Sequence, residues 1–388
     1  MTTVREYRDP LNGVRGWLAY DGVVHTLAAG GCRVQAGLTP ALLETLASRM
    51  TLKERVLGVN VDGAKCGIDL DVSSPDKPAT LRRFLGFLRE ELETRFSMGC
   101  DMGTQWHELE RLAALEGIPS IKVAVRRAQR LEEDEFRQRL RLLDEPAGLL
   151  TLGERRAGHA LAGAALRAVR AALPGTATPT CTLHGFGTLG RAAACSLDEE
   201  GVAIVGVADE HGAVADPRGL DVPTMLATSY GTPVAQSEPA KALPRDALYE
   251  LPSDLLVLAS VEDAVSPEQV PTVAAPAVVV GANCGLRAEV EDLLCRRGVL
   301  VIPDFIGGIG GSASMEVVFG SERPISVPEV LDGVSSLVAE LVDELIEQAR
   351  RRGASVREVA LELAASREPA PGERPYGCCP FVRTAVGA

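Results

Sequence analysis

Gly185-Phe186-Gly187-Thr188-Leu189-Gly190 lies between a predicted strand, Thr180 to His184, and a predicted helix, Thr188 to Glu200. A Gly-x-Gly-x-x-Gly spacing alone is weak evidence in a chain with 39 glycines. Its context restricts the fold. The motif follows a predicted strand, opens a predicted helix, and is followed by Asp209 at the end of the next apolar run. That order describes a strand–helix–strand unit that cradles a dinucleotide pyrophosphate. Gly185 permits the tight turn, Gly187 lets backbone reach the phosphates, and Gly190 allows close helix–strand packing. Phe186, Thr188 and Leu189 complete the loop, and the helix N-terminus offers free N–H groups to the phosphates. Asp209 is placed to accept hydrogen bonds from the adenosine ribose. Its charge, with that of Glu210, repels a 2′-phosphate, so NAD is expected ahead of NADP.

The same alternation continues downstream. Val202 to Ala208, Leu255 to Ala259, Ala277 to Val280 and Val299 to Ile302 are buried-strand runs separated by helical segments, which predicts a doubly wound sheet. The first part of the chain predicts a mixed α/β unit. Gly16 to Tyr20 and Val23 to Ala28 form a hairpin around Asp21-Gly22 in this reading. Thr39 and Pro40 start a helix with Leu42, Leu43, Leu46 and Met50 on one face. Leu57 to Val61 and Ile68 to Val72 are predicted strands, Pro78 to Leu92 and Gln105 to Leu115 predicted helices, and Met98 to Thr104 a loop. Residues 123–146 mix Arg and Glu at helical spacing, a solvated face. Gly153 to Leu173 is an alanine-rich helix.

The fold class is therefore α/β, a Rossmann-type doubly wound domain for NAD plus a mixed α/β N-terminal substrate domain. The expected division is 1–145 for substrate, 146–325 for the dinucleotide, 326–368 as helices packing back on the first domain, and 369–388 as a loosely ordered tail. A net charge of −13 argues against a nucleic-acid surface. No apolar run approaches the roughly 20 residues of a membrane span. The segment from Met1 to Arg8 does not resemble a signal peptide. A cytoplasmic protein with small-molecule partners is expected. Nine cysteines include no CxxC pair and no His/Cys set at zinc spacing, so reduced, mostly buried thiols and no metal are expected.

Two lysines stand out. Lys53 ends the amphipathic helix, and Lys65 sits in what reads as a glycine-flanked turn, Gly63-Ala64-Lys65-Cys66-Gly67. A turn of that kind can carry an amine into a cleft, where desolvation makes a lysine a usable acid or base. Further motifs come in a fixed order: Gly30-Gly31-Cys32-Arg33, Met50-Thr51-Leu52-Lys53, Asp101-Met102-Gly103-Thr104, Gly281-Ala282-Asn283, and Pro303-Asp304 leading to Gly310-Gly311.

This ordered set resembles the glutamate/leucine/phenylalanine/valine dehydrogenase family over roughly residues 15 to 320. The resemblance implies interconversion of an L-amino acid with a 2-oxo acid and ammonium, using NAD(P), in a cleft between the domains of a homo-oligomer. It implies that Lys53 binds the substrate α-carboxylate, that Lys65 polarises the forming carbonyl and activates water, and that Asp101 shuttles protons to the amino group. Gly30 and Gly31 would let backbone approach the substrate, and Asn283 would hold substrate or nicotinamide. His107 is read as structural. The glutamate enzymes carry a lysine before the Gly-Gly pair where this chain has Ala29. Near Gly311 this chain offers Met315 where they place a small hydroxyl residue. Both departures point to an apolar substrate side chain. Asp62, Cys66, Gly308 and the segment Arg156-Ala157-Gly158-His159 also depart from the family. They leave two rivals, a biosynthetic reductive aminase for an unusual 2-oxo acid and a non-catalytic NAD-binding regulator. Cys32, Cys66 and Cys100 each adjoin a motif, which opens a shared reactive or soft-metal cleft as an alternative to inert thiols.

Overall fold

The computed structural model describes residues 2–22, 24–237, 240–367, 370 and 372–382. They group into two units. The first runs to Leu140 and takes in Phe319–Glu322 and Leu363–Pro380; the second comprises chiefly Arg141–Val318 and Arg323–Glu362.

The elements of the first unit are β1 (Thr2–Arg8), β2 (Arg15–Asp21), β3 (Ala28–Val34), α1 (Pro40–Leu57), β4 (Asp62–Ile68), α2 (Lys77–Phe87), α3 (Arg89–Thr94), β5 (Phe96–Cys100), α4 (Trp106–Leu115), α5 (Val123–Gln129) and α6 (Glu133–Arg141). The sheet order is β1-β2-β4-β3-β5. The expected hairpin around Asp21-Gly22 is absent among the described residues. β2 instead pairs with β1, which the sequence reading did not anticipate, and β4 separates β2 from β3. The link between β2 and β3 crosses over and is tied down at Asp62, whose carboxylate accepts from the His25 N–H at 3.0 Å and from Arg95 at 3.2 Å. Val23 lies outside the described residues.

Thr39 caps α1 and accepts the Leu42 N–H, as its position predicts. The helix runs past Lys53 to Leu57 and closes on Gly58 in the left-handed conformation, so Lys53 is inside the helix and not at its end. The predicted strands at 57–61 and 68–72 flank the true one. β4 is the segment read as a turn, and Lys65 is in its middle. Trp17, Ala19, Leu38, Leu43 and Ala47 form the buried layer that joins α1 to the sheet, each large side chain contributing about 1.5–3 kcal/mol on burial.

The second unit contains β6 (Pro146–Ala147), β7 (Leu150–Thr151), α7 (Leu152–Ala172), β8 (Thr180–His184), α8 (Thr188–Glu199), β9 (Ala203–Ala208), β10 (Ala213–Ala215), α9 (Val222–Leu226), α10 (Val234–Ser237), β11 (Lys241–Leu243), β12 (Leu255–Leu258), β13 (Ala277–Val280), α11 (Ala288–Arg296), β14 (Leu300–Ile302), α12 (Asp304–Gly307), α13 (Gly310–Gly320), α14 (Val327–Arg352) and α15 (Val356–Ser366), the last reaching the chain's return to the first unit. Its sheet runs β11-β10-β9-β8-β12-β13-β14, parallel from β9 to β14, with β10 and β11 added antiparallel at one edge. This is the doubly wound arrangement the alternation predicts. α7 packs against α8 and α14.

Two expectations about the C-terminal region change. Residues 323–362, including α14, group with the second unit, and only the stretch from Leu363 returns to the first. The tail is anchored where it is described. Tyr376 is buried, its N–H donates to Gln129 Oε1 at 3.1 Å, and its carbonyl accepts Gln129 Nε2 at 2.9 Å. Pro369, Pro371 and residues 383–388 of that predicted tail lie outside the described residues.

Candidate active site

Strand alternation sorts the motif residues of the first unit onto two faces of its sheet. Gly63, Lys65 and Gly67 share one face of β4; Ala64 and Cys66 share the other. Register carries the assignment across the sheet, with Ala19 opposite Lys65, Ala29 opposite Gly63, Arg33 opposite Gly67, and Gly31 opposite Gly99. α1 lies on the Lys65 face. A Cβ on Gly63 would stand 2.4 Å from the Thr51 nitrogen and 2.2 Å from the Ala47 carbonyl oxygen, so the glycine is what lets the helix rest on the strand. Lys53 follows on that helix, 4% exposed. The glycines around Lys65 thus serve close packing, not a turn.

Asp101 comes directly after β5 and projects onto the same face. Its Oδ2 accepts from Lys65 Nζ at 2.9 Å and from Arg33 Nε at 2.8 Å. Its other oxygen accepts no bond from the described residues. Thr104 fixes the loop: its hydroxyl accepts the Asp101 N–H at 3.1 Å and donates to the Cys32 carbonyl at 2.8 Å. Gly31 makes room, since a Cβ there would lie 2.9 Å from that of Asp101, and a Cβ on Gly30 would collide with the Ala64 carbonyl. Burial alone would raise the Asp101 carboxyl; the charges and hydrogen bonds of Lys65 and Arg33 outweigh it and hold the group well below the usual carboxylate range.

Arg33 was quoted within a motif but given no role by sequence reasoning. Its signal was its alternation with Gly31 on β3. Lys122, outside every motif, also reaches this face and carried no sequence signal. His107 is exposed on α4. Cys32, Cys66 and Cys100 are register partners in one row across β4, β3 and β5, and alternation puts that row opposite Lys65. Cys32 and Cys66 are buried there. Burial, then a hydrogen bond that the Cys66 thiol donates to Cys32, pushes the Cys66 thiol well up. Cys32 and Cys66 line the sheet's other core, while Cys100, at the end of the row, is exposed.

In the second unit the fingerprint glycines sit at the C-terminal end of β8. Gly185 has φ +108°, and a Cβ on it would be 2.7 Å from the backbone of Ala259 and Ser260. A Cβ on Gly190 would overlap the Gly185 carbonyl at 1.9 Å. Gly187 differs, having nothing within 4 Å of its Cβ position. It is the N-cap of α8 without a side-chain cap, so the first-turn N–H groups of the helix receive no cap from that residue. These residues fit a dinucleotide pyrophosphate. Phe186 is buried with the Arg191 guanidinium 5.3 Å from its ring centre. Asp209 holds its own loop: Oδ1 accepts the N–H groups of His211 (2.8 Å) and Gly212 (3.1 Å), and Oδ2 that of Val234 (2.7 Å). Glu210 beside it is exposed. Asn283 is half-buried in the turn after β13, and Met315 is buried on α13.

Two family models match. Glu/Leu/Phe/Val dehydrogenase, dimerisation domain, covers residues 3–114, and Glutamate/Leucine/Phenylalanine/Valine dehydrogenase covers residues 155–368. Among curated relatives, a glutamate dehydrogenase of Aeropyrum pernix is 31% identical over 43% of this chain and 40% of its own length. An NADP-specific glutamate dehydrogenase of Saccharolobus shibatae is 30% identical over 48% and 45%, and an NAD-specific one of Staphylococcus aureus 34% identical over 33% and 31%. The chain thus aligns with less than half the length of these relatives. A solved hetero-hexameric glutamate dehydrogenase from Thermus thermophilus, in its Leu bound form, shares the fold at TM-score 0.74 and 24% identity, over 95% of this chain and 88% of that one. With both models matched across the two units, the chain belongs to the glutamate/leucine/phenylalanine/valine dehydrogenase family.

Proposed function

We propose that the chain catalyses reversible NAD-dependent oxidative deamination of an L-amino acid to a 2-oxo acid and ammonium. The observation that carries this reading is the 2.9 Å contact between Lys65 and Asp101 on a buried sheet face, in a chain that also bears a dinucleotide fingerprint. NAD+, when bound, supplies the acceptor for the hydride that leaves the substrate Cα. Lys53, a buried cation, holds the α-carboxylate. Asp101 takes a proton from the amino group at Oδ1 and returns one to the departing ammonia. Lys65 as the free amine takes a proton from the water that adds to the substrate carbon and releases it to solvent at the end of the cycle, while the hydroxyl proton of the adduct leaves with ammonia, as ammonium, when the carbonyl forms. Amino acid, water and NAD+ become 2-oxo acid, ammonium, NADH and one proton. The space beside Gly30 and Gly31 is taken by the Ala64 and Cys100 carbonyls, so these glycines serve close packing next to the site, and Asn283 holds substrate or nicotinamide.

NAD is preferred in this reading because Asp209 and Glu210 place negative charge where a 2′-phosphate would bind. The relatives include both cofactor types, so the check is the ratio of kcat/KM for NAD and NADP, expected above one. Homo-oligomerisation is proposed from the dimerisation-domain match; light scattering that shows a monomer at micromolar concentration would remove it.

Two readings of the side chain compete. Ala29 and the buried Met315 favour an apolar one. Relatives named as glutamate dehydrogenases favour an acidic one. An amino-acid and 2-oxo-acid panel assayed in both directions tests the reaction. Turnover of a proteinogenic amino acid supports it, and turnover confined to a bulky oxo acid with ammonium marks a biosynthetic aminase. NAD binding without any turnover marks a regulator.

A further inference from the structure

Resting on the dehydrogenase reading above, we infer that Asp304 is a positioning residue for the nicotinamide half of the cofactor. It holds the turn that carries Asn283 in the one conformation that presents Asn283 to the ring.

Ala282 to Gly285 follow β13 as a tight turn, closed by the Gly285 N–H on the Ala282 carbonyl at 3.1 Å. Asn283 and Cys284 are its two central residues. Cys284 has φ +55°, at the third place of the turn, where glycine or asparagine ordinarily supplies a positive φ. A cysteine there is strained, and such strain persists only where the surroundings impose it. Here they do. The Cys284 N–H donates to Asp304 Oδ2 at 2.9 Å, and the Cys284 carbonyl accepts the Asp263 N–H at 3.0 Å. Asp304 is wholly buried, and its Oδ1 accepts from Arg357 at 3.2 Å. Arg357 is fixed in turn by two bonds to the Glu291 carboxylate, at 2.5 and 2.6 Å, and by the Phe305 ring centred 5.3 Å away. A carboxylate locked to α15 thus pins the strained residue of the turn.

The place of the turn says what it serves. Asp209 follows β9, the fingerprint follows β8 and Asn283 follows β13, and the sheet order there is β9-β8-β12-β13. A dinucleotide with its adenosine at β9 and its pyrophosphate at β8 extends its other half over the ends of β12 and β13. The packing agrees with that path. The Cβ position of Gly185 is 2.7 Å from the Ala259 and Ser260 backbone at the end of β12, and that of Gly281 is 3.2 Å from the Leu189 side chain of the fingerprint. The Ala264 N–H donates to the Gly285 carbonyl at 2.9 Å, so the loops after β12 and β13 lock together.

The experiment measures calorimetric binding of NAD+ and of ADP-ribose, which lacks the nicotinamide. It compares wild type, Asp304→Asn, Asn283→Ala and the double variant, with thermal melts to verify folding. An asparagine at 304 offers an oxygen on one side only, so Arg357 and Cys284 cannot both keep their acceptor. Asp304→Asn and Asn283→Ala are each expected to weaken NAD+ binding on the order of 10-fold and to leave ADP-ribose unchanged, the double variant being no worse than either. Cys284→Gly added to Asp304→Asn should restore most of the loss, because glycine takes a positive φ without help. Cys284→Val, which leaves Asp304 in place, should reproduce the loss, because a β-branched residue does not hold that φ. A purely structural role for Asp304 predicts equal weakening of both ligands, losses that add, and no rescue by glycine. That result overturns the inference. Coupling of Asp304 to Asn283 in NAD+ binding, without turnover of any amino acid, leaves the inference standing and removes the dehydrogenase reading. Amino-acid turnover with additive losses does the reverse, and a wild type that binds neither ligand removes both.

Discussion

Asp101 draws its properties from its two neighbours. A carboxylate that accepts from Lys65 and Arg33 at a single oxygen stays ionised far into acid, and its second oxygen keeps its acceptor capacity for a substrate. Because its folded pKa is depressed, its contribution to stability is fully present above the unfolded value of about 3.9. It is lost as pH falls through the folded value, which lies below the ordinary carboxylate range. Asp101→Asn leaves two buried cations without their counter-charge and is expected to cost about 3–5 kcal/mol near neutral pH. Urea titrations of both proteins should show this gap narrowing only below about pH 4. A gap that closes between pH 5 and 7 would place the ionisation elsewhere.

The element scale shows what was legible and what was not. The second unit followed its sequence pattern closely, because β9, β12, β13 and β14 are apolar and its glycine motif sits between a strand and a helix. The first unit did not. Glycines at 63 and 67 made β4 read as a turn, since glycine in a short segment ordinarily breaks structure. Here Gly63 exists so that α1 can approach, a long-range contact that local pattern does not encode. β1 was missed because Thr2 to Arg8 is largely polar and its pairing with β2 lies outside any apolar alternation. The lysine pair and Asp101 were legible as motif residues. Their partner Arg33 and the edge-borne Lys122 were not, as only register reveals which side chains share a face. Gly63→Val is expected to push α1 off β4 and destabilise the fold by about 1–3 kcal/mol, read as a lower urea midpoint together with lost activity. An unchanged midpoint would contradict the close packing assigned to this glycine. Alternation also separates the thiols. A maleimide probe on the native protein should label Cys100 and Cys378, which are exposed, and spare Cys32 and Cys66. Labelling of Cys66 before unfolding would place it on the accessible face.

At the scale of the whole molecule, the two family models fall on different units, the dimerisation model within the first and most of the other within the second. The proposed reaction needs both, a charged row on one sheet and the glycine-bounded helix end on the other. The central claim is that Lys65, held by Asp101, does acid–base work on an amino acid. Its most direct measurement is NADH formation across a panel of L-amino acids at alkaline pH, with wild type and Lys65→Met side by side and NAD binding measured on both. The expected result is turnover of at least one amino acid by wild type, a loss of on the order of 10²–10⁴-fold in kcat for Lys65→Met, and unchanged NAD affinity. Turnover unaffected by Lys65→Met, or no turnover of any amino acid by a wild-type protein that binds NAD, would contradict it.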